Sequence, residues 1–392
     1  MKHVALIIPG LDRIGGAERQ VILLAKGLCR RGRRVSVVAL SGNGGSAAGD
    51  LRSAGAAFLS LEMRKGLADP RGWIRFHRWL RSEKPDVVHA HLPHAAWLAR
   101  WSRLGAPAPA QIDTLHSSST GTLGRRLGYR LSGWLPDRVT AVGPAVAHSH
   151  LSAGMVRPEK LAILPNGVDL QTFRPDAGVC AAARRELGLR EPGLHEPGKS
   201  DEFLWFAAGR LDPVKDYPTL LRAMAATLQP AHLVIAGGGP LQADMLRLSK
   251  NLGLATRVRF LGFVPDVQRW MQAADAYVLS SLWEGLPMGL MEAGACALPV
   301  AATDVPGVRD VIAPGLTGYL APAGDAAALA NAMTAIMHLP REERRAMGNR
   351  ARQHVSAHFS LNAVLDRCEQ LYADLLAERG ASTTEASRLI RA

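Results

Sequence analysis

Thirteen residues, Ser281-Leu-Trp-Glu-Gly-Leu-Pro-Met-Gly-Leu-Met-Glu-Ala293, carry two glutamates, Glu284 and Glu292, with seven residues between them. Carboxylates accept hydrogen bonds from hydroxyl groups. Between the two, Gly285, Leu286, Pro287 and Met288 lead from a strand-like run into a helix. Pro287 suits a helix's first turn, where a missing N–H costs nothing. Glu284 then stands in the loop, and Glu292 lies about five residues into the helix, roughly 7–8 Å along its axis. A helix N-terminus offers its free N–H groups to an anion. The stretch therefore has the chemistry to hold a molecule with hydroxyls at both ends and a diphosphate between, as in a nucleotide sugar. The plain alternative makes Glu292 a solvent-facing helix residue. Its neighbours Met291, Ala293 and Ala295 argue for a buried face instead, and a carboxylate is rarely buried without purpose.

A diphosphate needs a divalent metal, basic side chains or a helix N-terminus beside it. No Asp-x-Asp pair occurs in the 392 residues, so no metal or other cofactor is expected. The four cysteines (Cys29, Cys180, Cys296, Cys368) show no metal-ligand spacing and read as reduced thiols of a cytoplasmic protein. The start of the chain runs almost directly into apolar residues and shows no signal-peptide pattern.

The elements that must position these groups alternate short β-branched runs with longer amphipathic stretches, which predicts βαβ units on parallel sheets. In the first half, strands are expected at His3–Ile8, Arg34–Leu40, Asp86–Ala90, Ile112–Leu115 and Val139–Val142. A second series is expected at Phe203–Ala207, His232–Ala236, Val258–Leu261, Ala276–Leu279 and Val300–Ala302. Leu164-Pro-Asn-Gly-Val-Asp169 lies between the series and has the residues of a hinge. Leu189 to Asp201, rich in Pro, Gly and charge, reads as a surface loop, and the residues from Ala377 as a frayed polar tail. The pattern is that of two doubly wound α/β domains.

The Glu-x-seven-Glu pattern inside a Glu-Gly-Leu-Pro stretch resembles the hallmark of the retaining glycosyltransferases of family 4. Ala297-Leu-Pro-Val-Ala-Ala-Thr-Asp-Val-Pro-Gly-Val-Arg-Asp310 is similar to the strand and loop that follow it there. The likeness covers nearly the whole chain. It departs at Ala293-Gly-Ala295, where Ala-Met-Ala is frequent, a change behind the helix that touches no contact residue.

The resemblance implies the GT-B fold, with two Rossmann-like domains facing across a cleft. Residues 1–170 would form the acceptor-side domain and 171–355 the donor domain. Residues 356–376 would be a helical segment crossing back to the first domain, with 377–392 as the tail. It implies that Arg210 and Lys215, in Gly209-Arg-Leu-Asp-Pro-Val-Lys-Asp216, grip the diphosphate through charge-assisted bonds. Glu284 would contact the transferred sugar and Glu292 the ribose. Backbone groups of Gly285 to Met288 would meet sugar and phosphate, and that of Val264, in Gly262-Phe-Val-Pro265, the base. In the first half, Ile14-Gly-Gly-Ala-Glu-Arg19 matches a family loop in which Gly16 lets the backbone approach the donor. His116, at the end of Thr114-Leu-His116, matches a histidine near the reacting sugar. His89 and His91 are left outside the site. The implied reaction carries a sugar, with UDP the commonest nucleotide, to a saccharide or lipid-linked acceptor with retention of configuration, in the making of cell-surface glycan or lipopolysaccharide.

Charge points to a further partner. Of the 47 Lys and Arg, 24 lie within residues 1–170, against 11 of the 34 Asp and Glu, so the remainder is balanced and the whole +13 excess belongs to the first half. Such a half suits an anionic surface, either a membrane's inner face or a phosphorylated acceptor. An arginine-rich composition is the bland alternative. Arg71 to Arg81 sets Trp73, Phe76 and Leu80 at helical spacing among Arg75, Arg78 and Arg81, and a second basic-aromatic cluster holds Arg125, Arg126, Tyr129, Arg130 and Trp134. The spacing fits an interfacial helix or one packed on its own sheet. Two rival functions remain: a nucleotide-sugar epimerase of the same architecture, opposed by the paired carboxylates, and a nucleic-acid-binding protein, for which no recognisable motif is present.

Overall fold

The computed structural model of the chain describes residues 1–64, 69–105, 109–190, 202–227 and 231–389. Most of the loop expected at Leu189 to Asp201 lies outside them. Tertiary contacts divide the chain into one unit of Met1–Gly167 with Leu361–Ala392, and a second of Val168–Ser360.

The first unit runs β1 (His3–Ile8), α1 (Gly16–Arg30), β2 (Arg34–Ala39), α2 (Gly45–Ser53), β3 (Ala57–Ser60), α3 (Pro70–Glu83), β4 (Val87–His91), α4 (Pro93–Ser102), β5 (Ala110–Leu115), α5 (Leu123–Leu131), β6 (Arg138–Ala141), α6 (Pro144–Ser152) and β7 (Leu161–Ile163). The second runs α7 (Ala177–Glu186), β8 (Phe203–Ala208), α8 (Tyr217–Ala226), β9 (Ala231–Ala236), α9 (Gln242–Asn251), β10 (Val258–Gly262), α10 (Val267–Ala273), β11 (Ala276–Leu279), α11 (Met288–Ala295), β12 (Val300–Thr303), β13 (Gly318–Ala321), α12 (Ala326–His338) and α13 (Arg341–Phe359). A last helix, α14 (Leu361–Leu389), belongs to the first unit. Each unit has one sheet, in the orders β3-β2-β1-β4-β5-β6-β7 and β10-β9-β8-β11-β12-β13, and neighbouring strands are parallel.

The apolar run of β1 shows why the sequence folds this way. Val4, Leu6 and Ile8 turn to one face, where α1 and α14 cover them, while Ala5 and Ile7 meet Phe76, Leu80 and α4 on the other. A parallel strand covered on both faces needs no polar alternation. The fit of α14 is close: a Cβ on Gly27 would fall 2.5 Å from Leu365 Cδ1.

The expected strands all form, within two residues at each end. Three strands were not anticipated, β3, β7 and β13, and each sits at a sheet edge. Edge strands bury less, so their sequences lack the long apolar run that marks a central one. The tail is a correction. From Ala377 the chain continues as α14 to Leu389 rather than fraying. Glu378 accepts from Arg138 at 2.8 and 3.0 Å, and Arg379 donates to Asp137 at 2.9 and 3.1 Å, so polar residues anchor the first turn of this stretch.

Candidate functional site

In an open parallel sheet, ligands bind outside the carboxyl ends of the strands, where the strand order reverses. In the second sheet that point lies between β8 and β11. The loop after β8 holds Arg210 and Lys215, and the loop after β11 holds Ser280 to Pro287. Topology alone thus brings the two groups of expected residues to one place.

Hydrogen bonds fasten the loops together. Ser280 Oγ donates to Lys215 O at 2.7 Å, and Leu282 N to Val214 O at 2.8 Å. Lys215 Nζ donates to Glu284 Oε1 at 2.5 Å, and Ser281 Oγ donates to the same oxygen at 2.7 Å. Asp212 shapes the first loop, accepting from Lys215 N at 3.3 Å across a 3-10 turn and from Arg210 Nε at 2.7 Å. The Arg210 side chain is otherwise 71% exposed, presenting its charge outward. Asp216, at φ 44°, caps α8 by accepting from Thr219 N.

Glycines set the closeness of the loops. A Cβ on Gly237 would fall 2.0 Å from Gly209 O, and one on Gly307 2.1 Å from Gly285 O. At such distances only glycine fits. The Gly237-Gly-Gly239 run, directly after β9, was not singled out in the sequence. Neither were Asp212, which follows Arg210 by two, and Ser281, which precedes Glu284 by three.

α11 starts at Met288, with Pro287 at the capping position just before the helix rather than inside its first turn. No side chain caps this end. Glu292 is 3% exposed between Met291 and Ala293, both fully buried, so it is not a solvent-facing residue. Burial, followed by the field of Glu292, pushes the Cys296 thiol up to about 12. Val264 lies on the same carboxyl edge, in the loop after β10, where Gly262 O accepts from Gly237 N at 2.7 Å. Arg210, Lys215 and Glu284 are linked directly or through Asp212 and the loop, Glu292 lies deeper in α11, and Val264 stands two strands from β8.

The first sheet reverses between β1 and β4. After β1, Gly15 caps α1 and donates its N–H to Glu18 Oε2 at 3.0 Å, and Gly16 is the first, exposed residue of the helix. After β5, His116 is half-buried, and its Nε2 lies 3.0 Å from His91 Nδ1. His89 is held by Thr114 Oγ1 at 2.5 Å and by Tyr372 Oη at 2.7 Å. Burial drives His89 down to about 3 and His116 to about 4, and holds His91 well below its ordinary 6.5. These imidazoles are therefore neutral near pH 7, and His116 can act there as a hydrogen-bonding group, not as a cation. His91 Nε2 and His116 Nδ1 are buried without a protein partner. His91, left outside the site by sequence reasoning, is bonded to the one histidine placed within it. Its signal was the His-x-His alternation at a strand end.

Among the described residues no group of three or more His, Cys, Asp or Glu is placed to hold a metal ion, and no helix is long and apolar enough to cross a membrane.

Comparison with known proteins agrees with this architecture. Residues 14–172 match the model described as Glycosyltransferase Family 4, and residues 195–354 that described as Glycosyl transferases group 1. The chain is 31% identical over 348 residues to a phosphatidyl-myo-inositol mannosyltransferase of Mycobacterium leprae, covering 86% of this chain and 87% of that one. It is 25% identical over 327 residues to an Escherichia coli UDP-Gal:alpha-D-GlcNAc-diphosphoundecaprenol alpha-1,3-galactosyltransferase, covering 80% and 81%. In fold it is similar to Anabaena HepE, solved with UDP and glucose, at a TM-score of 0.81 and 19% identity over 95% of this chain and 99% of that one. With both halves matched and the two sheets in place, the chain belongs to the family 4 glycosyltransferases, enzymes of GT-B fold that act on sugar nucleotides.

Proposed function

We propose that this enzyme moves a sugar from a UDP-sugar to a saccharide or lipid-linked acceptor of cell-surface glycan synthesis, with retention of configuration and without a metal. The observation that carries the reading is the 2.5 Å bond from Lys215 to Glu284, which joins the loops on either side of the sheet's reversal. A cation and a carboxylate in contact suit the junction of a sugar phosphate, where one partner is anionic and the other a hydroxyl. Glu284 accepts from a hydroxyl of the transferred sugar, and Lys215 beside it reaches a diphosphate oxygen. Arg210, with its guanidinium exposed, takes up charge that develops on the departing diphosphate. Glu292 holds the ribose hydroxyls, the backbone of Gly285 to Met288 meets the phosphate and sugar, and that of Val264 the base. Gly16 lets the backbone approach the donor, and His116 serves as a neutral hydrogen-bonding group.

In the transfer, the acceptor oxygen bonds to the anomeric carbon on the face from which the diphosphate oxygen departs. The leaving oxygen takes the acceptor's proton, so no side-chain nucleophile is required. UDP is supported by the UDP-galactose donor of the E. coli relative and by the UDP in the fold neighbour. A lipid-linked acceptor is supported by the diphosphoundecaprenol and phosphatidyl-inositol in the relatives' names. Work on the inner face of the cytoplasmic membrane follows from such acceptors.

The test is a panel of UDP-, GDP- and ADP-sugars with lipid-diphosphate acceptors, with the product anomer read by NMR. An α-linked product from an α-linked UDP-sugar is expected. Release of an epimerised sugar nucleotide without acceptor would replace the reading by an epimerase.

A further inference from the structure

The two basic-aromatic helices of the first unit use their apolar residues in opposite ways. On α3, Phe76 is fully buried and Leu80 is 3% exposed, both within the core. Arg75 donates to Leu61 O and Glu62, and Arg81 to Gly105 O. That helix is packed on its own sheet.

α5 is built the other way round. Its inward residue is Tyr129, 1% exposed, whose ring centroid lies 4.4 Å from the Arg100 guanidinium. Arg100 is itself buried, bonded to Asp113 at 2.5 Å and Ser132 at 2.8 Å. A Cβ on Gly128 would fall 3.0 Å from Trp97, so the helix lies close against α4. These contacts fix its rotation and turn three leucines outward. Leu123, Leu127 and Leu131 recur every four residues along one line and are 79%, 55% and 63% exposed, and Trp134 follows at 55%. Arg126 and Arg130, both exposed, follow Leu123 and Leu127 by three and are their neighbours on the helix surface.

Isolated exposed leucines need no explanation, but a continuous line of them marks a surface with a partner. The charge around it names the chemistry. From Val87 to Pro136 the chain has one acidic residue, Asp113, and it is buried against Arg100. Nothing anionic in that stretch offsets the exposed arginines. A free phosphorylated glycan would use the arginines and leave the leucines without a role. A leucine line rimmed by arginine matches the boundary of an anionic bilayer, with acyl chains below and phosphates above.

We propose that the outward face of α5 is the surface by which this enzyme lies on an anionic lipid bilayer. The leucines and Trp134 enter the headgroup–acyl boundary, and Arg126 and Arg130 meet lipid phosphates. The inference shares with the proposed function only its lipid-linked acceptor, and it needs nothing of the donor chemistry.

Full-length protein is sedimented with phosphatidylglycerol-containing vesicles and with pure phosphatidylcholine vesicles, at low and high salt. Wild type is expected to bind the acidic vesicles several-fold better, with attraction weakening as salt rises. A triple variant, Leu123→Gln, Leu127→Gln and Leu131→Gln, alters exposed positions only. It is expected to lose about tenfold or more in vesicle partitioning while UDP binding stays unchanged. The corresponding α3 variant, Arg75→Gln, Arg78→Gln and Arg81→Gln, is expected to bind vesicles like wild type. The proposal is overturned if wild type ignores acidic vesicles at low salt, or if the leucine variant binds them normally. Sedimentation velocity provides a third check: a wild-type dimer that the leucine variant converts to monomer would make this face a contact between copies. Vesicle binding without sugar transfer would leave the surface standing and remove the proposed function, and transfer without vesicle binding would do the reverse.

Discussion

The carboxyl edges of the two sheets are furnished with opposite materials. The edge of the second sheet carries ionised groups in mutual contact, Arg210 on Asp212 and Lys215 on Glu284, with Arg210 open to solvent. The edge of the first carries imidazoles that burial keeps uncharged, although that half of the chain owns the whole basic excess. Formal charge and working charge are therefore separated. The first unit places its arginines on its surface and in ties such as Arg31 and Arg33 to Glu369, while the histidines at the ends of β4 and β5 stay neutral. The second unit has no net charge, yet concentrates ions where its sheet order reverses. A leaving diphosphate needs fixed charge, whereas orienting a hydroxyl needs only a neutral donor or acceptor.

The comparison breaks most visibly if the ions prove dispensable. Lys215→Ala or Arg210→Ala should lower kcat by roughly 100- to 1000-fold, the loss typical of removing one group that stabilises developing charge. Steady-state kinetics beside UDP titration separates this from simple loss of binding. A fall confined to KM would make the residues grips for the nucleotide and not stabilisers of its departure.

Next in size is Glu292. Its replacement by Ala should weaken UDP binding by about 1–3 kcal/mol, the cost of losing a charged hydrogen-bond partner. Calorimetry reads this directly, and unchanged affinity for UDP in an enzyme shown to use it would remove the ribose role.

The neutral edge makes a prediction about stability. His89, His91 and His116 are all depressed from 6.5, and burial lowers His3, His150 and His232 as well. Below about pH 6.5 the unfolded chain takes up these protons and the folded chain does not. Stability is therefore complete above 6.5 and falls as pH drops toward 4. Thermal melts should show Tm lower by about 5 °C or more at pH 5 than at pH 7. His89→Gln, which can still bond Thr114 and Tyr372, should show a shallower fall. Parallel curves would mean that His89 titrates normally and that the first edge is not dry.

The central strands were legible because burial on both faces writes a run such as His3–Ile8 without interruption. Edge strands such as Ala57–Ser60 bury too little to leave that mark. Glu284, Arg210 and Lys215 could be brought together on paper because a βαβ pattern fixes which loops share an edge. The wiring of His91 to His116 depends on side-chain directions that no spacing records. Most instructive are α3 and α5, which share a basic-aromatic composition. Periodicity finds the apolar stripe of a helix but is silent on which side of it the sheet lies. That was decided by Arg100, far from either stripe in sequence, drawing Tyr129 inward and leaving the leucines outside.

The smallest expected effect is the most exacting test of the ionic edge. If Arg210 and Lys215 supply all the positive charge that the departing diphosphate requires, a divalent cation has no task left there. The rate in excess EDTA should then stay within about twofold of the untreated rate, because two side-chain cations already offset the charge that a bound metal would otherwise neutralise. Salt should matter more than chelator, since the exposed guanidinium of Arg210 is open to screening by bulk ions. A loss in EDTA that magnesium or manganese restores would put the decisive charge on an ion. In that case Lys215 would serve chiefly to hold Glu284 in place, and the Lys215→Ala loss should shrink when magnesium is abundant.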